Sequence, residues 1–251
     1  MLKKVGIALP KYAQFRQGPP LYLADRIPDA SFINERFYAD PERNRLGTPS
    51  GKIEIFSEKV ASFGYDDCLG HAAWFDKREW LGGPRAEQFP LHLLSNQPST
   101  RLHSQLDNGV TSRQSKIRGR EPMRLHPQDA AARGIRDGDV VRVFNDRGAF
   151  LAGVKLSDEL RPGVAQIATG AWYDIFDPED PMSLEVHGNP NAVTCDRGTS
   201  SLAQGPSSNS CLVEVERFDA ALPPISVFSP PSLVHRDQPI SPAARRSRRQ
   251  Q

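Results

Sequence analysis

A chain of 251 residues has room for one large domain, or one medium domain with appendages; 38% hydrophobic residues and a mean hydropathy of −0.52 give an adequate core and much non-core material. No apolar run approaches the length of a membrane-spanning helix, and the apolar stretch behind Lys3-Lys4 ends at Pro10, too soon for a secretory signal. The net charge of +2 hides an asymmetry: residues 222–251 hold five arginines and one aspartate, so the rest of the chain carries −2 and is a poor general binder of nucleic acid.

The three cysteines, Cys68, Cys195 and Cys211, lack C-x-x-C spacing, which argues against structural zinc and against an iron–sulfur cluster held by this chain. Their odd number argues against a disulfide framework.

In chain order, residues 1–50 are proline-interrupted and predict an irregular lead-in that cannot close its own core. Lys52–Phe56 alternates as a strand does, and Ser57 is placed to cap a short helix over 58–63 that Gly64 stops. Residues 65–88 predict a connector. From Phe89 onward short strands dominate: 91–94, 121–125, 139–144, 149–156, 164–168 and 211–217. Asn145-Asp146-Arg147-Gly148 predicts the turn of a hairpin. His126 to Gly134 has proline at the first helical position, alanines inside and glycine at the stop, and predicts a helix over 127–133. Short strands with frequent turns and few helices predict a mainly β fold, a closed barrel with a psi-type crossing after Gly134. The segment from 219, rich in proline and then in arginine, predicts a disordered tail.

Two stretches stand apart. Ser95 to Gln105 and His187 to Asn191, the second continuing through Gly198–Gly205, concentrate amides, hydroxyls, imidazoles and glycines. Such groups suit a large ligand with fused polar rings and phosphates, because amides pair with ring edges and glycines let backbone N–H groups approach phosphate.

The segments Thr48–Ser57, Arg101–Asp107, Gly119–Pro122, His126–Gly134, Gly138–Gly148, Gly170–Asp174 and His187–Gly205 resemble the C-terminal third of bacterial molybdopterin oxidoreductases. The subgroup they resemble is that of the dimethyl sulfoxide, trimethylamine N-oxide and biotin sulfoxide reductases, over residues 30 to 218. Cys195-Asp196-Arg197 and Pro206-Ser207-Ser208 depart from its pattern.

The resemblance implies a double-psi β-barrel over 89–218 that binds molybdopterin dinucleotide, preceded by the remnant of an α/β domain over 1–88. The expected cofactor is molybdenum held by two molybdopterin guanine dinucleotides, and the expected reaction is reduction of an S-oxide or N-oxide by oxygen-atom transfer. Implied cofactor-binding residues are Ser95, Asn96, Gln97, Ser99, Arg101, His103, Ser104, Asn189, Asn191, Gln204 and Gly205, with Arg101 expected to make a bidentate phosphate contact. The blander alternatives stay open: a strand-end turn for Ser95 and Asn96, a loop-bridging histidine for His103, an Asx-turn pair for Asn189 and Asn191. Asp107 is a weaker candidate, and Trp172 and Tyr173 read as core before entrance.

No residue of the chain stands where the family's serine ligand to molybdenum would, so no catalytic or metal-ligating residue is assigned. The chain is expected to be a fragment, inactive alone, whose partners are the missing N-terminal catalytic domains, an electron-donor protein and a small oxide. No nucleic acid and no membrane span are expected, and the family allows periplasm or cytoplasm, with the periplasm favoured. The competing expectation is a non-catalytic barrel that binds or assembles after loss of the catalytic domains. A dehydrogenase on a Rossmann fold is disfavoured, since no G-x-G-x-x-G joins a strand to a helix.

Overall fold

The computed structural model describes residues 9–22, 33–180, 182–230 and 233, and these form two compact units, one up to Ala73 and one from Trp74. The first carries three short helices, α1 (Tyr12–Gln17), α2 (Glu35–Ala39) and α3 (Glu58–Ala61). Ser57 caps α3 as expected, its hydroxyl accepting the Val60 N–H at 3.3 Å. The expected strand at 52–56 is absent: Ile53 and Ile55 are 63% and 87% exposed, and alternation without a neighbouring strand has no ladder to join.

The second unit is built on six strands: β1 (Leu91–Asn96), β2 (Pro122–Leu125), β3 (Val140–Asn145), β4 (Gly148–Leu156), β5 (Val164–Ala168) and β6 (Cys211–Arg217). They close into a barrel in the order β1-β5-β2-β4-β3-β6. Pairs β1·β5 and β2·β4 are parallel and the other four antiparallel, so closure leaves no open edge. The fold class is mainly β, as the sequence implies. Two short helices complete it, α4 (Val110–Ser115) and α5 (Pro127–Ala131).

Alternation decides which side chains fill the barrel. Leu91, Leu93, Met123, Leu125, Val141, Val143, Ala165, Ile167, Val213 and Val215 point inward and join one core with Phe150 and Cys211. Burying each large aliphatic contributes about 1.5–3 kcal/mol. Their strand neighbours Arg124, Gln166, Lys155 and Glu216 lie on the outer wall, which makes that wall polar.

Residues 74–90 belong to the same compact unit as the barrel, which begins at Trp74. The cause is Glu79, buried between the Arg147 guanidinium (2.5 and 3.0 Å) and the Leu212 N–H (2.8 Å). Burial pushes the Glu79 carboxyl up, but those two partners outweigh it and hold the group below its ordinary value. All three cysteines are free thiols; burial pushes that of Cys211 up to about 11.

The segment after β6 also differs from expectation. Residues 219–230 form no helix or strand, yet Leu222 packs against the buried cluster of Val140, Leu151 and Val186, and Ser226 and Val227 hydrogen-bond Asp174. Buried partners hold this stretch in place where composition alone predicts disorder. The Arg-rich end lies outside the described residues. Among the described residues no helix is long and apolar enough to cross a membrane.

Candidate functional site

Both polar stretches sit at one end of the barrel, where β1 and β5 finish and β2 begins. The 97–121 loop crosses that end, held by a buried ionic cluster. The Arg101 guanidinium donates to both Glu121 oxygens at 3.2 Å, to the Thr169 carbonyl at 2.9 Å, to the His103 carbonyl at 3.0 Å and to the Ser112 hydroxyl at 3.2 Å. Lys116 Nζ bridges Asp107 (2.9 Å) and Glu121 (2.8 Å). Asp107 also accepts the Ser112 hydroxyl at 2.8 Å and the Trp172 N–H at 2.9 Å. Two cations thus face two carboxylates, and each charge has a close partner to offset its desolvation. Burial raises the Asp107 carboxyl, but the Trp172 N–H and Lys116 more than reverse this and hold it below its ordinary value.

The 187–191 loop is shaped by a buried carboxylate. Glu185 accepts four backbone N–H groups, from Asp174 (3.2 Å), His187 (3.1 Å), Gly188 (2.7 Å) and Asn189 (2.8 Å). Burial nevertheless pushes its carboxyl up to about 7. His187 is fully buried, and burial together with Lys116 lowers its basicity, so the ring is neutral. Its Nδ1–H donates to the Trp172 carbonyl at 2.9 Å, since a carbonyl can only accept. Nε2 then carries a lone pair with no partner among the described residues.

Two clefts lie at the end of β5. The first, about 520 Å³, is lined by Asn96, Gln97, Ser99 and Thr100 on one side and by Arg124, Lys155 and Gln166 of the outer wall on the other. Ala168 lines it too, and the next residue, Thr169, lines the second cleft. That second cleft, about 400 Å³, gathers His103, Ser104, Asn189 and Asn191 with Trp172 and Tyr173. Segments more than eighty positions apart in the chain therefore line the second cleft together. Gly170 makes the close approach possible. Its φ is +88°, and a Cβ there would run into the His103 carbonyl and lie 2.8 Å from the Ser104 nitrogen.

Each expected residue has a definite place. Asn96, Gln97 and Ser99 line the first cleft, and His103, Ser104 and Asn191 the second. The Asn191 carboxamide has no hydrogen-bond partner among the described residues. Asn189 borders the second cleft, but its carboxamide is already engaged. It donates to the Ala171 carbonyl at 2.6 Å and accepts the Asn191 N–H at 3.0 Å, an Asx turn. Arg101 departs from expectation: its guanidinium is buried and occupied within the chain, so it braces the loop where a phosphate contact was expected. Asp107 is buried in the same cluster, its carboxylate taken up by Lys116, Ser112 and the Trp172 N–H. Ser95 lies in β1, its N–H donating to Asn209 Oδ1 at 2.8 Å. Gln204 and Gly205 lie in a separate loop closed by the Gly198–Pro206 bridge and line neither cleft.

Sequence reasoning missed Lys155, Gln166 and Arg124, although their outward register in β4, β5 and β2 was a usable signal. Of these, Arg124 is paired with Glu159 and Ser157, whereas Lys155 is exposed. It also missed Thr169 and the organising Glu185, which nothing in composition distinguishes from a surface glutamate. Trp172 and Tyr173, read as core, are cleft residues, with Tyr173 48% exposed.

The donor set fits a pterin dinucleotide: neutral amides, hydroxyls and an imidazole for ring edges, and a lysine on the wall of the first cleft for phosphate. Residues 91–212 match the family model described as the molydopterin dinucleotide binding domain. The chain is 48% identical over 219 residues to trimethylamine-N-oxide reductase 1 of Escherichia coli (strain K12), covering 86% of this chain and 26% of that protein. It is 48% identical over 196 residues to a dimethyl sulfoxide/trimethylamine N-oxide reductase of Cereibacter sphaeroides, covering 78% of this chain and 24% of that one. The chain thus spans about a quarter of the length of these curated relatives. The acetylene hydratase from Pelobacter acetylenicus shares the fold, with a TM-score of 0.57 at 21% identity over 71% of this chain and 25% of that structure. Residues 91–212, which run from β1 into β6, are thus what this chain shares with the molydopterin dinucleotide binding domain family.

Proposed function

We propose that this chain is the cofactor-binding part of a molybdenum-dependent oxidoreductase that reduces S-oxides or N-oxides, with molybdopterin present as two guanine dinucleotides. The observation that carries this reading is the second cleft, where His103, Ser104 and Asn191 converge from the two polar stretches. The names of the relatives, reductases of trimethylamine N-oxide and dimethyl sulfoxide, supply the substrate class.

When bound, the cofactor supplies the two-electron oxygen-atom chemistry. The chain's own residues bind and orient it. His103 and the Asn191 carboxamide meet polar ring edges, an amide being able to donate and accept at once. Asn96, Gln97 and Ser99 offer hydrogen bonds along the first cleft, and Lys155 offers a positive charge to phosphate. Gln204 and Gly205 would contact a second pterin only if their loop folds toward the clefts on binding. Ser95 contributes through β1, which aims Asn96. Because the chain spans about a quarter of its relatives, catalysis requires further domains, an electron-donor protein and the oxide substrate.

The test is direct. Protein expressed from its complete reading frame in molybdate-fed bacteria is expected to contain molybdenum by elemental analysis and to release GMP on acid hydrolysis. Absence of both would favour the non-catalytic binding module. The 251-residue chain by itself is expected to show no turnover of dimethyl sulfoxide with reduced viologen; turnover would overturn that part.

A further inference from the structure

Packed against Trp172 and His187 lies the stretch that composition assigns to a disordered tail. Its contacts are specific. The Asp174 carboxylate, 6% exposed, accepts the Ser226 N–H (2.6 Å), the Ser226 hydroxyl (2.7 Å) and the Val227 N–H (2.9 Å). The Phe228 ring stands perpendicular to His187 with centroids 5.0 Å apart, and lies 5.8 Å from Trp172. The Arg113 guanidinium sits over the same Phe228 ring, 5.5 Å from its centroid. Arg120 Nη2 donates to the Pro223 carbonyl at 2.5 Å.

Those partners belong to three segments that present other residues to the clefts. The 113–120 segment contributes Ser115 and Ile117 to the first; Trp172 and Tyr173, with Asn189 and Asn191, line the second. Asp174 is the hinge of the arrangement. Its N–H donates to Glu185 Oε1, the carboxylate that shapes the 187–189 loop, and its carbonyl accepts the Val186 N–H at 2.7 Å. A displacement of the 222–228 stretch would therefore take three hydrogen bonds from the Asp174 carboxylate and remove Phe228 from the face of the loop at His187.

We propose that residues 222–228 are a clasp that positions the walls of the second cleft, with Phe228 and Ser226 as positioning residues for cofactor binding. The proposal rests on the reading that the cleft holds the cofactor, and its test separates the two.

Amide hydrogen exchange on the cofactor-free 251-residue chain reads the clasp alone. Phe228→Ala, and the milder Ser226→Ala, are expected to raise exchange in peptides covering 170–174 and 186–192 by about tenfold while β3 and β4 stay protected. Phe228→Leu should restore most of the protection. Uniform loss of protection across the barrel would mark Phe228 as ordinary packing and overturn the proposal, as would unchanged exchange in both wall peptides. In protein expressed from its complete reading frame, Phe228→Ala should retain about tenfold less molybdenum after gel filtration, equivalent to about 1.4 kcal/mol of affinity. Loosened walls with full retention would overturn the clasp. Wild-type protein that takes up no cofactor would remove the functional reading, and the exchange result would still decide the clasp.

Discussion

Arg101 and Glu121 are twenty residues apart in sequence and form a buried pair in which one guanidinium nitrogen lies 3.2 Å from each carboxylate oxygen. Since the same guanidinium also reaches Thr169 and His103, it fixes both the polar loop and the end of β5. Arg101→Ala would leave Asp107 and Glu121 with Lys116 alone, an uncompensated buried negative charge. The expected loss is about 3–5 kcal/mol in urea unfolding of the ligand-free chain. Arg101→Lys should recover only part, because one ammonium cannot span these acceptors. Wild-type stability in Arg101→Ala would return Arg101 to the role of a phosphate ligand.

Gly170→Ala places a methyl group against the His103 carbonyl at a φ of +88°, so either the loop or the β5 end must move. A destabilisation of about 1–3 kcal/mol is expected, measured as a lowered Tm, with weaker cofactor retention. A variant as stable as wild type, with unchanged retention, would show that the close approach is dispensable.

Asn189 and Asn191 should separate. Asn189→Ala leaves the buried Ala171 carbonyl and the Asn191 N–H without partners and should cost about 1–3 kcal/mol by chemical denaturation. Asn191→Ala should leave the unfolding curve unchanged but reduce retained cofactor about tenfold. Equal behaviour of the two would remove Asn191 as a ligand-facing group.

The Glu185 carboxyl lies at about 7 in the folded chain against an ordinary value of 4.5, so between those pH values the folded state binds more protons than the unfolded one. Its contribution to stability is therefore fully present below about pH 4.5 and falls as pH rises through about 7, by up to about 3 kcal/mol. Glu185→Gln should abolish this slope in unfolding measured from pH 4.5 to 8. It should also lower stability near pH 7 by about 1–3 kcal/mol, because its NH2 would face backbone donors. An unchanged slope in the variant would place the titration elsewhere.

Much of the barrel was legible. The strands at 164–168 and 211–217 have the bounds that period-two alternation indicates, and Asn145 to Gly148 turn where a hairpin turn is expected. The α5 helix begins at Pro127, behind a His126 whose Nδ1 accepts the Gln128 N–H. The α4 helix was not legible: Val110–Ser115 has no apolar period, and Ser112 binds Asp107 through a contact that only the folded loop creates. The 52–56 segment shows the converse, alternation that finds no strand beside it.

By itself the sequence determined that a mainly β core forms and that two polar stretches lie at its strand ends, because side-chain periodicity and turn chemistry act over a few residues. Only the tertiary structure decided which of those polar groups face a ligand. Arg101 and Asn189 have the same donors as any binding residue, but partners brought from Glu121, Thr169 and Ala171 occupy them. His103 and Asn191 stay exposed and line the second cleft. Whether a polar side chain serves the fold or a ligand depends on which distant groups reach it first, and local sequence carries no record of them.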